Sequence, residues 1–188
     1  MVVAACASPA SSPPASRPAP TSAALSIDSH ERYYDIAGSS VQELRDEIRR
    51  LGPQGGDDAL TVWDLQWTYG DAPAAHGCVL RNVKVTLTVT TTLPRWEPPA
   101  GTPARPVESW RTYLAHVRVH EAGHKAIAEQ YARKLVAALG SLRGATCREV
   151  WDAAQRTATR VVEEGRTRNR AYDVETKHGQ TQGVVLAP

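Results

Sequence analysis

The features that this chain lacks exclude several classes of function. Its net charge is only +2, and its arginines are scattered among acidic residues, which argues against a nucleic-acid-binding protein. No apolar stretch is long enough to span a membrane, and no internal repeat is evident. Only three cysteines are present and none lies in a CxxC pair, which argues against a zinc site built from thiolates. The hydrophobic content of 41% is enough for one globular domain plus an appendage.

The pentapeptide His120-Glu121-Ala122-Gly123-His124 is an H-E-x-x-H motif, which on a helix is a zinc-binding signature of metallohydrolases. Positions i and i+4 share one helix face, so two imidazoles can bind one Zn²⁺ ion while Glu121 serves as general base. The flanking apolar residues recur at helical spacing and place both histidines on the buried face. The alternative is a pair of core histidines that hydrogen bond to the backbone beside a surface glutamate.

A catalytic zinc site needs a third protein ligand, which has to come from elsewhere in the chain. The metzincin continuation fails, because Ile127 and Gln130 stand where that pattern has glycine and histidine. We expect the segment around residues 172–179 to leave the last helix, and there His178 is the first candidate for the third ligand. Asp173 is the second candidate, either as a ligand or as a hydrogen-bond partner of a histidine.

Several other residues are weaker candidates for the same site. Tyr172 either donates a hydrogen bond to an oxyanion or packs near the site. His116 either supports a ligand or is an ordinary partly buried histidine. A glutamate from the next helix can also serve as third ligand, and the candidates of this kind are Glu149, Glu163 and Glu164. For His178 itself the alternative is a solvent-exposed tail histidine.

The N-terminus indicates an exported protein. Residues 3–8 have the shape of a bacterial lipobox, in which Cys6 would be lipidated, although the positive and most of the apolar part of a signal peptide are missing. We interpret residues 1–30 as a truncated lipoprotein signal with a disordered Ser/Pro/Ala tether, and residues 31–188 as the globular domain. A fortuitous apolar start followed by a plain disordered tail is the alternative.

The other two cysteines fit an oxidising compartment. With Cys6 lipidated, Cys78 and Cys147 remain as a pair, and an even pair in an exported protein predicts a disulfide bond. Two reduced, buried cysteines in a cytoplasmic protein are the alternative. The sequence therefore places the protein in the cell envelope, with a membrane contact only through a lipid anchor, and it indicates no oligomeric state.

The remaining patterns predict an α+β fold. Alternating hydrophobicity predicts strands at 63–69 and 83–89, and the short segment between them allows an antiparallel pair. Periodicity and two capping boxes, Ser40 with Glu43 and Thr146 with Glu149, predict helices near 41–51, 107–139 and 147–170. We expect a proline-rich surface loop at 94–106. The basic cluster at 166–170 is interpreted as a helix C-terminal turn, and an anionic partner is the alternative.

Several short motifs resemble a family of predicted secreted bacterial zinc-dependent proteases, catalogued as domain of unknown function nine-two-two. The resemblance runs from about Arg32 to Gly183 and keeps its landmarks in order. These are Tyr34-Asp35-Ile36 with Gly38, Glu43-Leu44, Gly52-Pro53, Leu93-Pro94-Arg95-Trp96, the HEAGH box and Tyr172-Asp173-x-x-Thr176-x-His178-Gly179. It implies a small zincin-like domain, with an antiparallel sheet packed on the long HExxH helix and a second long helix, and it implies a metallopeptidase.

The function expected from the sequence is zinc-dependent hydrolysis of peptide bonds in the cell envelope. His120 and His124, with His178 or Asp173, would hold Zn²⁺, and Glu121 would accept a proton from the attacking water. The expected partner is a peptide or protein substrate. One alternative is a non-catalytic envelope lipoprotein or binding module with a structural or vestigial zinc site. A fourth protein ligand, for which His116 is the candidate, would favour this alternative. Another is an amidase acting on cell-wall peptides.

Overall fold

The computed structural model describes residues 22–187. The predicted lipobox with Cys6, and most of the predicted tether, lie outside the described residues. None of the helices found within residues 22–187 is both long and apolar enough to cross a membrane.

A mixed sheet forms one layer of the fold. Its main strands are β1 (Ala23–Ile36), β2 (Leu60–Ala74) and β3 (Gly77–Trp96), and the two-residue strand β4 (Arg143–Gly144) pairs with the start of β3. Strand β3 is central: β2 pairs with it antiparallel, and β1 pairs with it parallel. One long edge of β2 is therefore free of any pairing strand among the described residues.

Two sequence predictions about the sheet need correction. The predicted hairpin is confirmed, but the sheet is mixed rather than antiparallel, because β1 runs parallel to β3. Strand β1 also begins at Ala23, so residues 23–30 lie in the sheet although we assigned them to the tether. Only Leu25 and Ile27 in this stretch pack against the core, and two alternating apolar residues are too weak a signal to predict a strand.

Four helices and a short 3-10 helix complete the fold. They are α1 (Val41–Leu51), α2 (Pro53–Gly56), α3 (Ala104–Ser141), α4 (Cys147–Thr176) and the 3-10 helix Gln180–Gln182. The three predicted long helices are confirmed, and both predicted capping boxes are formed. The fold class is therefore α+β, as the sequence indicated.

Helix α4 continues past its predicted end at residue 170, so Tyr172 and Asp173 lie on the helix and not on a segment that leaves it. The arginines that suggested a C-terminal turn are instead paired along the helix surface. Arg166 forms an ion pair with Glu163, and Arg168 forms one with Glu175.

The proline-rich segment is shorter than predicted. Strand β3 extends to Trp96 and α3 begins at Ala104, which leaves only residues 97–103 as a loop. Trp96 is buried rather than on the surface, because its ring packs edge to face on Trp110 and its indole N–H donates to the carbonyl oxygen of Gly38.

Helix α3 runs across two hydrophobic clusters. Its C-terminal half packs with α4 against the inner face of β2 and β3, and its N-terminal half packs against α1 and the ends of β1 and β3. Ala128 and Ala132 on α3 and Ala154 and Ala158 on α4 are fully buried in the first of these clusters. Small side chains let the two helices approach closely. The HEAGH segment lies on α3 between the two clusters.

Cys78 and Cys147 lie at disulfide distance, with sulfur atoms 2.07 Å apart, as the sequence predicted. Cys78 is the second residue of β3, and Cys147 is the first residue of α4. The bond therefore links the central strand to the start of the helix that carries Asp173.

We expect the double substitution Cys78→Ser with Cys147→Ser to lower the free energy of unfolding by about 4 kcal/mol, because the bond closes a loop of 69 residues. Urea denaturation of the parent and the variant measures this difference. As a control, a reductant should destabilise the parent to the level of the variant and leave the variant unchanged. Equal unfolding midpoints for oxidised parent and variant would show that the bond does not form in solution.

Candidate metal centre

Three polar side chains of the HEAGH segment on α3 lie in the protein interior. His120, Glu121 and His124 are only 5 to 6% exposed, although most polar side chains of this size lie at the surface. The two histidines lie four residues apart and face α4, while Glu121 lies next to Thr61 on β2. Polar groups buried in this way need partners, and the partners show what the site can do.

Three potential ligand atoms converge at one point. Nε2 of His120 lies 3.2 Å from Nε2 of His124, and Oδ1 of Asp173 lies 3.3 Å and 3.0 Å from these two nitrogens. Among the described residues, His120, His124 and Asp173 form a group that could hold a metal ion. Ligand atoms bound tetrahedrally to zinc at about 2.0 Å are about 3.3 Å apart, so the separations here match such a site.

Helix α4 brings Asp173 to the histidines because it packs antiparallel to α3. Asn169 and Asp173 lie four residues apart on α4 and so share one face of it. Both contact the histidines on α3. The third ligand atom therefore comes from the last turns of a long helix, where the backbone is held by regular hydrogen bonds.

The outer nitrogen of each histidine is held by an amide side chain. His120 Nδ1 lies 2.9 Å from Oε1 of Gln182, and His124 Nδ1 lies 2.9 Å from Oδ1 of Asn169. An amide oxygen only accepts, so each Nδ1 carries hydrogen and donates. In the neutral form of each imidazole, Nε2 then presents its lone pair toward the other histidine and Asp173. This is the tautomer that a metal ligand requires.

Tyr172 holds His120 from the side away from the cavity. Its ring stacks on the imidazole of His120 at a centroid distance of 5.1 Å, and its hydroxyl accepts a hydrogen bond of 2.9 Å from Nε2 of Gln182. The same hydroxyl donates to the carbonyl oxygen of His120 at 3.3 Å. Tyr172 is not among the residues that line the adjoining cavity. Its position is that of a support for the histidine rather than of a donor to a reacting group.

Gly123 leaves the space that Tyr172 fills. A Cβ atom at position 123 would lie 2.1 Å from the Tyr172 hydroxyl oxygen, which is far inside van der Waals contact. A larger residue at this position of the HEAGH box would push the tyrosine off His120. The second variable position of the motif is therefore restricted by packing on α4.

Glu121 lacks the partners that a structural carboxylate has. Within the described part of the chain, its Oε2 atom is buried without a hydrogen-bond partner. Burial raises the pKa of Glu121, and the hydroxyl of Thr61 and the nearby histidines oppose this effect. A buried carboxylate of raised pKa accepts a proton more readily than an exposed one, as a general base requires.

A cavity of about 520 Å³ opens onto the three ligand atoms and Glu121. One wall is the segment from α2 into the first residues of β2, another is α4 near Arg166 and Arg170, and the C-terminal segment near His178 closes a third. The volume is in the range of sites for small ligands or a few residues of a peptide. The cavity gives a substrate access to the buried histidines.

The other candidate ligands lie elsewhere. His178 is exposed and lines the cavity, but it is not in the group with His120 and His124, and its backbone N–H donates to the carbonyl oxygen of Asp173. His116 Nδ1 lies 2.7 Å from the carbonyl oxygen of Gly183. The three glutamates are engaged away from the site: Glu149 in the helix cap, Glu163 with Arg166, and Glu164 with Lys134 and Arg160.

Asn169 and Gln182 are site residues that our reading of the sequence missed. Asn169 could have been found if α4 had been extended to Thr176, because it is then one helical turn before Asp173. Gln182 lies in the short 3-10 helix after α4, and no periodic pattern leads to it. Three consecutive left-handed residues, Lys177, His178 and Gly179, turn the chain back and bring Gln182 to His120.

Residues 31–179 match the family model described as "Bacterial protein of unknown function (DUF922)". The match covers most of the chain and confirms the family that the sequence motifs indicated. The description names no activity. No curated protein and no solved structure matches the chain.

We expect Gln182→Ala to weaken zinc binding by about 10- to 100-fold, because removing the partner of a histidine's outer nitrogen frees the ring and its tautomer. Competition with a chromophoric zinc chelator measures the affinity. Gln180→Ala is the matched control, since Gln180 belongs to the same 3-10 helix but is exposed, and its affinity should equal that of the parent. Equal affinities for Gln182→Ala and the parent would contradict the supporting role.

Proposed function

This chain belongs to the DUF922 family, and we propose that it is a zinc-dependent hydrolase that cleaves peptide bonds in the cell envelope. The proposal includes a zincin-like arrangement, in which the HExxH helix α3 and the second long helix α4 hold the ion between them.

The observation that carries this proposal is the orientation of three ligand atoms toward one point. Two imidazole lone pairs and one carboxylate oxygen lie 3.0 to 3.3 Å apart, and both imidazoles are fixed in the ligand tautomer by amide oxygens. Such atoms repel one another unless a proton or a metal cation lies between them, and a site of this geometry can accept either. Two nitrogens with one oxygen form a donor set that zinc commonly takes in hydrolases.

The number of ligands favours a reactive site over a structural one. The group found within residues 22–187 has three members, whereas structural zinc sites are closed by four protein ligands. His116, the candidate for a fourth ligand, is held by the carbonyl oxygen of Gly183. A fourth position would remain for water or substrate at the mouth of the cavity.

Different residues of the site would have different roles in the proposed reaction. A bound zinc ion would act as a Lewis acid toward the substrate carbonyl and lower the pKa of water. His120, His124 and Asp173 would hold the ion, while Asn169 and Gln182 orient the two imidazoles. Glu121 Oε2 has no partner of its own, so it is free to take the proton of the attacking water and pass it to the leaving amine nitrogen.

The free edge of β2 supports a peptide as the substrate. Residues 60–63 at the start of β2 line the cavity, and no described strand pairs with β2 on this side. An extended peptide could add to this edge through backbone hydrogen bonds, which would place one of its carbonyl groups near the histidines. Recognition through the backbone would suit a hydrolase of peptide bonds.

The pair Cys78 and Cys147 supports the envelope as the location. Disulfide bonds persist in oxidising compartments such as the periplasm and are rare in the cytoplasm of most bacteria. The bond joins β3 to α4, which carries one of the three ligands. The proposed lipid anchor at Cys6 would keep the enzyme at the membrane surface.

We expect one zinc ion per chain in the metal-replete protein, and its loss in His124→Ala and Asp173→Ala but not in His178→Ala. The reason is that Asp173 shares the site with both histidines while His178 does not. Mass spectrometry of metal content after dialysis measures the ratio. Loss of zinc in His178→Ala with retention in Asp173→Ala would make His178 the third ligand, and absence of zinc from the parent would remove the proposed function.

We expect Glu121→Gln to keep its zinc while its rate of peptide hydrolysis falls by about 100- to 10,000-fold, because glutamine cannot accept the proton. Zinc content and the rate of cleavage of a mixed peptide pool are measured on the same preparation. Glu129→Gln, also on α3 but paired with Arg133 near the surface, is the matched control and should cleave at the rate of the parent. Undiminished hydrolysis by Glu121→Gln would exclude Glu121 as the base.

A further inference from the structure

The wall of the cavity before β2 carries two neighbouring acids, Asp57 and Asp58. Asp57 is exposed, whereas Asp58 is largely covered, and burial raises the pKa of the Asp58 carboxyl group. The neighbouring charge of Asp57 raises this pKa further, and within residues 22–187 no lysine or arginine contributes to lowering it. The Tyr113 hydroxyl and the charge of His120 lower it. Asp58 is thus a carboxylate that is partly removed from water and has no lysine or arginine partner among the described residues.

A second polar group in the same place also lacks a partner. Tyr113 is only 2% exposed, and no atom among the described residues meets hydrogen-bond geometry with its hydroxyl. The hydroxyl nevertheless lies close enough to Asp58 to lower the pKa of that carboxyl group. Tyr113 and Asp58 line a second cavity that adjoins the first at Asp58, Gln180 and Val184. The Tyr113 hydroxyl and the Asp58 carboxyl group therefore lie close together where the two cavities adjoin, and no hydrogen bond of normal geometry joins them.

The backbone that presents Asp58 is tightly held. The hydroxyl of Tyr34 donates to the carbonyl oxygen of Asp58 at 2.7 Å. Gly52 is packed against the same segment, since a Cβ there would lie 2.2 Å from the carbonyl oxygen of Asp57. Gly56 adopts a φ of +125°, which only glycine takes without strain. The acids are thus fixed in position and are not the tip of a loose loop.

We propose that Asp58, together with the hydroxyl of Tyr113, binds a positively charged nitrogen group of the peptide substrate. The group is an ammonium or a guanidinium, and its source is either a lysine or arginine side chain or the free N-terminus of the peptide. This inference rests on the proposed hydrolase function, because it places the binding group in the cavity that opens onto His120 and Glu121.

The chemistry of the pair fits such a group. A cation restores the interaction that burial removes from the carboxylate, and a hydrogen bond between charged partners is stronger than one between neutral groups. A nitrogen group with several N–H donors can contact both the carboxylate and the tyrosine oxygen. Among the described residues, the free protein leaves the Tyr113 hydroxyl without a hydrogen bond of normal geometry, and this is a cost that substrate binding would remove.

Charged residues on another wall make the electrostatic potential differ across the cavity. Arg166 and Arg170 lie on α4 at the rim of the same cavity. Arg166 already has Glu163 as an ion-pair partner, whereas Arg170 is bonded only to the hydroxyl of Thr167 within the described residues. Arg45 and Arg49 line the second cavity, and Arg49 forms an ion pair with Asp46. Within the first cavity, a positively charged group is attracted to the segment of Asp57 and Asp58 and repelled from α4, so that a peptide would be oriented in the cleft.

The test compares the full-length zinc-loaded protein with Asp58→Asn on a pool of bacterial peptides produced by a glutamate-specific protease. Cleavage sites and rates are read by mass spectrometry. We expect the parent to favour peptides with a positive group at one fixed position from the cleaved bond. In Asp58→Asn this preference should fall about tenfold or more, the effect of losing one charged hydrogen bond, while cleavage of neutral peptides is unchanged.

Chemical modification of the pool distinguishes the two sources of the cation. Acetylation removes the charge of amines, whereas dimethylation retains it. A preference for arginine and dimethylated lysine within the peptide would assign a side chain. Stepwise removal of N-terminal residues that is abolished by acetylation and kept by dimethylation would assign the free N-terminus.

Two further variants show whether the effect is local. Tyr113→Phe should weaken the same preference without lowering the unfolding midpoint, because within residues 22–187 its hydroxyl forms no hydrogen bond of normal geometry. Asp28→Asn, an exposed acid on β1, is the matched control and should behave as the parent. Asp58→Asn should also unfold no earlier than the parent. An early unfolding midpoint would make Asp58 a structural residue and overturn the inference.

A binding measurement tests the contribution of Asp58 without requiring peptide cleavage. The zinc-loaded Glu121→Gln variant is titrated with a fluorescent lysine-containing peptide and with its acetylated form, and fluorescence anisotropy gives the affinities. We expect the unmodified peptide to bind about tenfold more tightly, and the difference to vanish when Asp58→Asn is added. Equal binding of both peptides overturns the inference while leaving the hydrolase intact. A parent that cleaves nothing but retains the difference overturns the hydrolase alone.

Discussion

The structure depends on one electrostatic constraint. Two imidazole lone pairs and a carboxylate oxygen lie 3.0 to 3.3 Å apart among side chains that are shielded from water. Burial strengthens the repulsion between such atoms, since the medium around them screens it poorly. The surrounding contacts must therefore hold the groups in place, and a proton or the proposed metal cation between them would remove the repulsion. Most of the unusual packing in this protein lies around that point.

The scaffold resists this repulsion by tying distant parts of the chain together. Helix α3 is 38 residues long and belongs to both hydrophobic clusters, so the histidines cannot move without disturbing two cores. Contacts of Tyr131 with Gly165 and of Lys134 with Glu164 join α3 to α4, and the bond between Cys78 and Cys147 fixes the start of α4 to the central strand. Tyr172 then fills the space beside Gly123 and presses on His120. Each of these contacts limits one way in which the ligand atoms could separate.

The sequence revealed the parts of this arrangement that are local and periodic. The HEAGH box, the capping boxes of α1 and α4 and the alternation in β2 and β3 all act over a few residues, and the structure contains each of them. The partners of the histidines were harder to find. Paired arginines on the surface of α4 resembled a helix end, which hid the position of Asp173 one turn further on. The contact of Gln182 with His120 depends on a left-handed turn and spans 62 residues, so no local pattern encodes it.

The C-terminal segment has a consequence for the order in which the site can form during synthesis. His120 is translated early, but its partner Gln182 and the carbonyl of Gly183 that holds His116 come from the last residues described. A chain that emerges from the ribosome N-terminus first can complete its cores and its strands before these residues appear. The histidines stay without their full set of partners until then. The contacts that support the proposed metal site are thus completed only after residue 183 has been added to the chain.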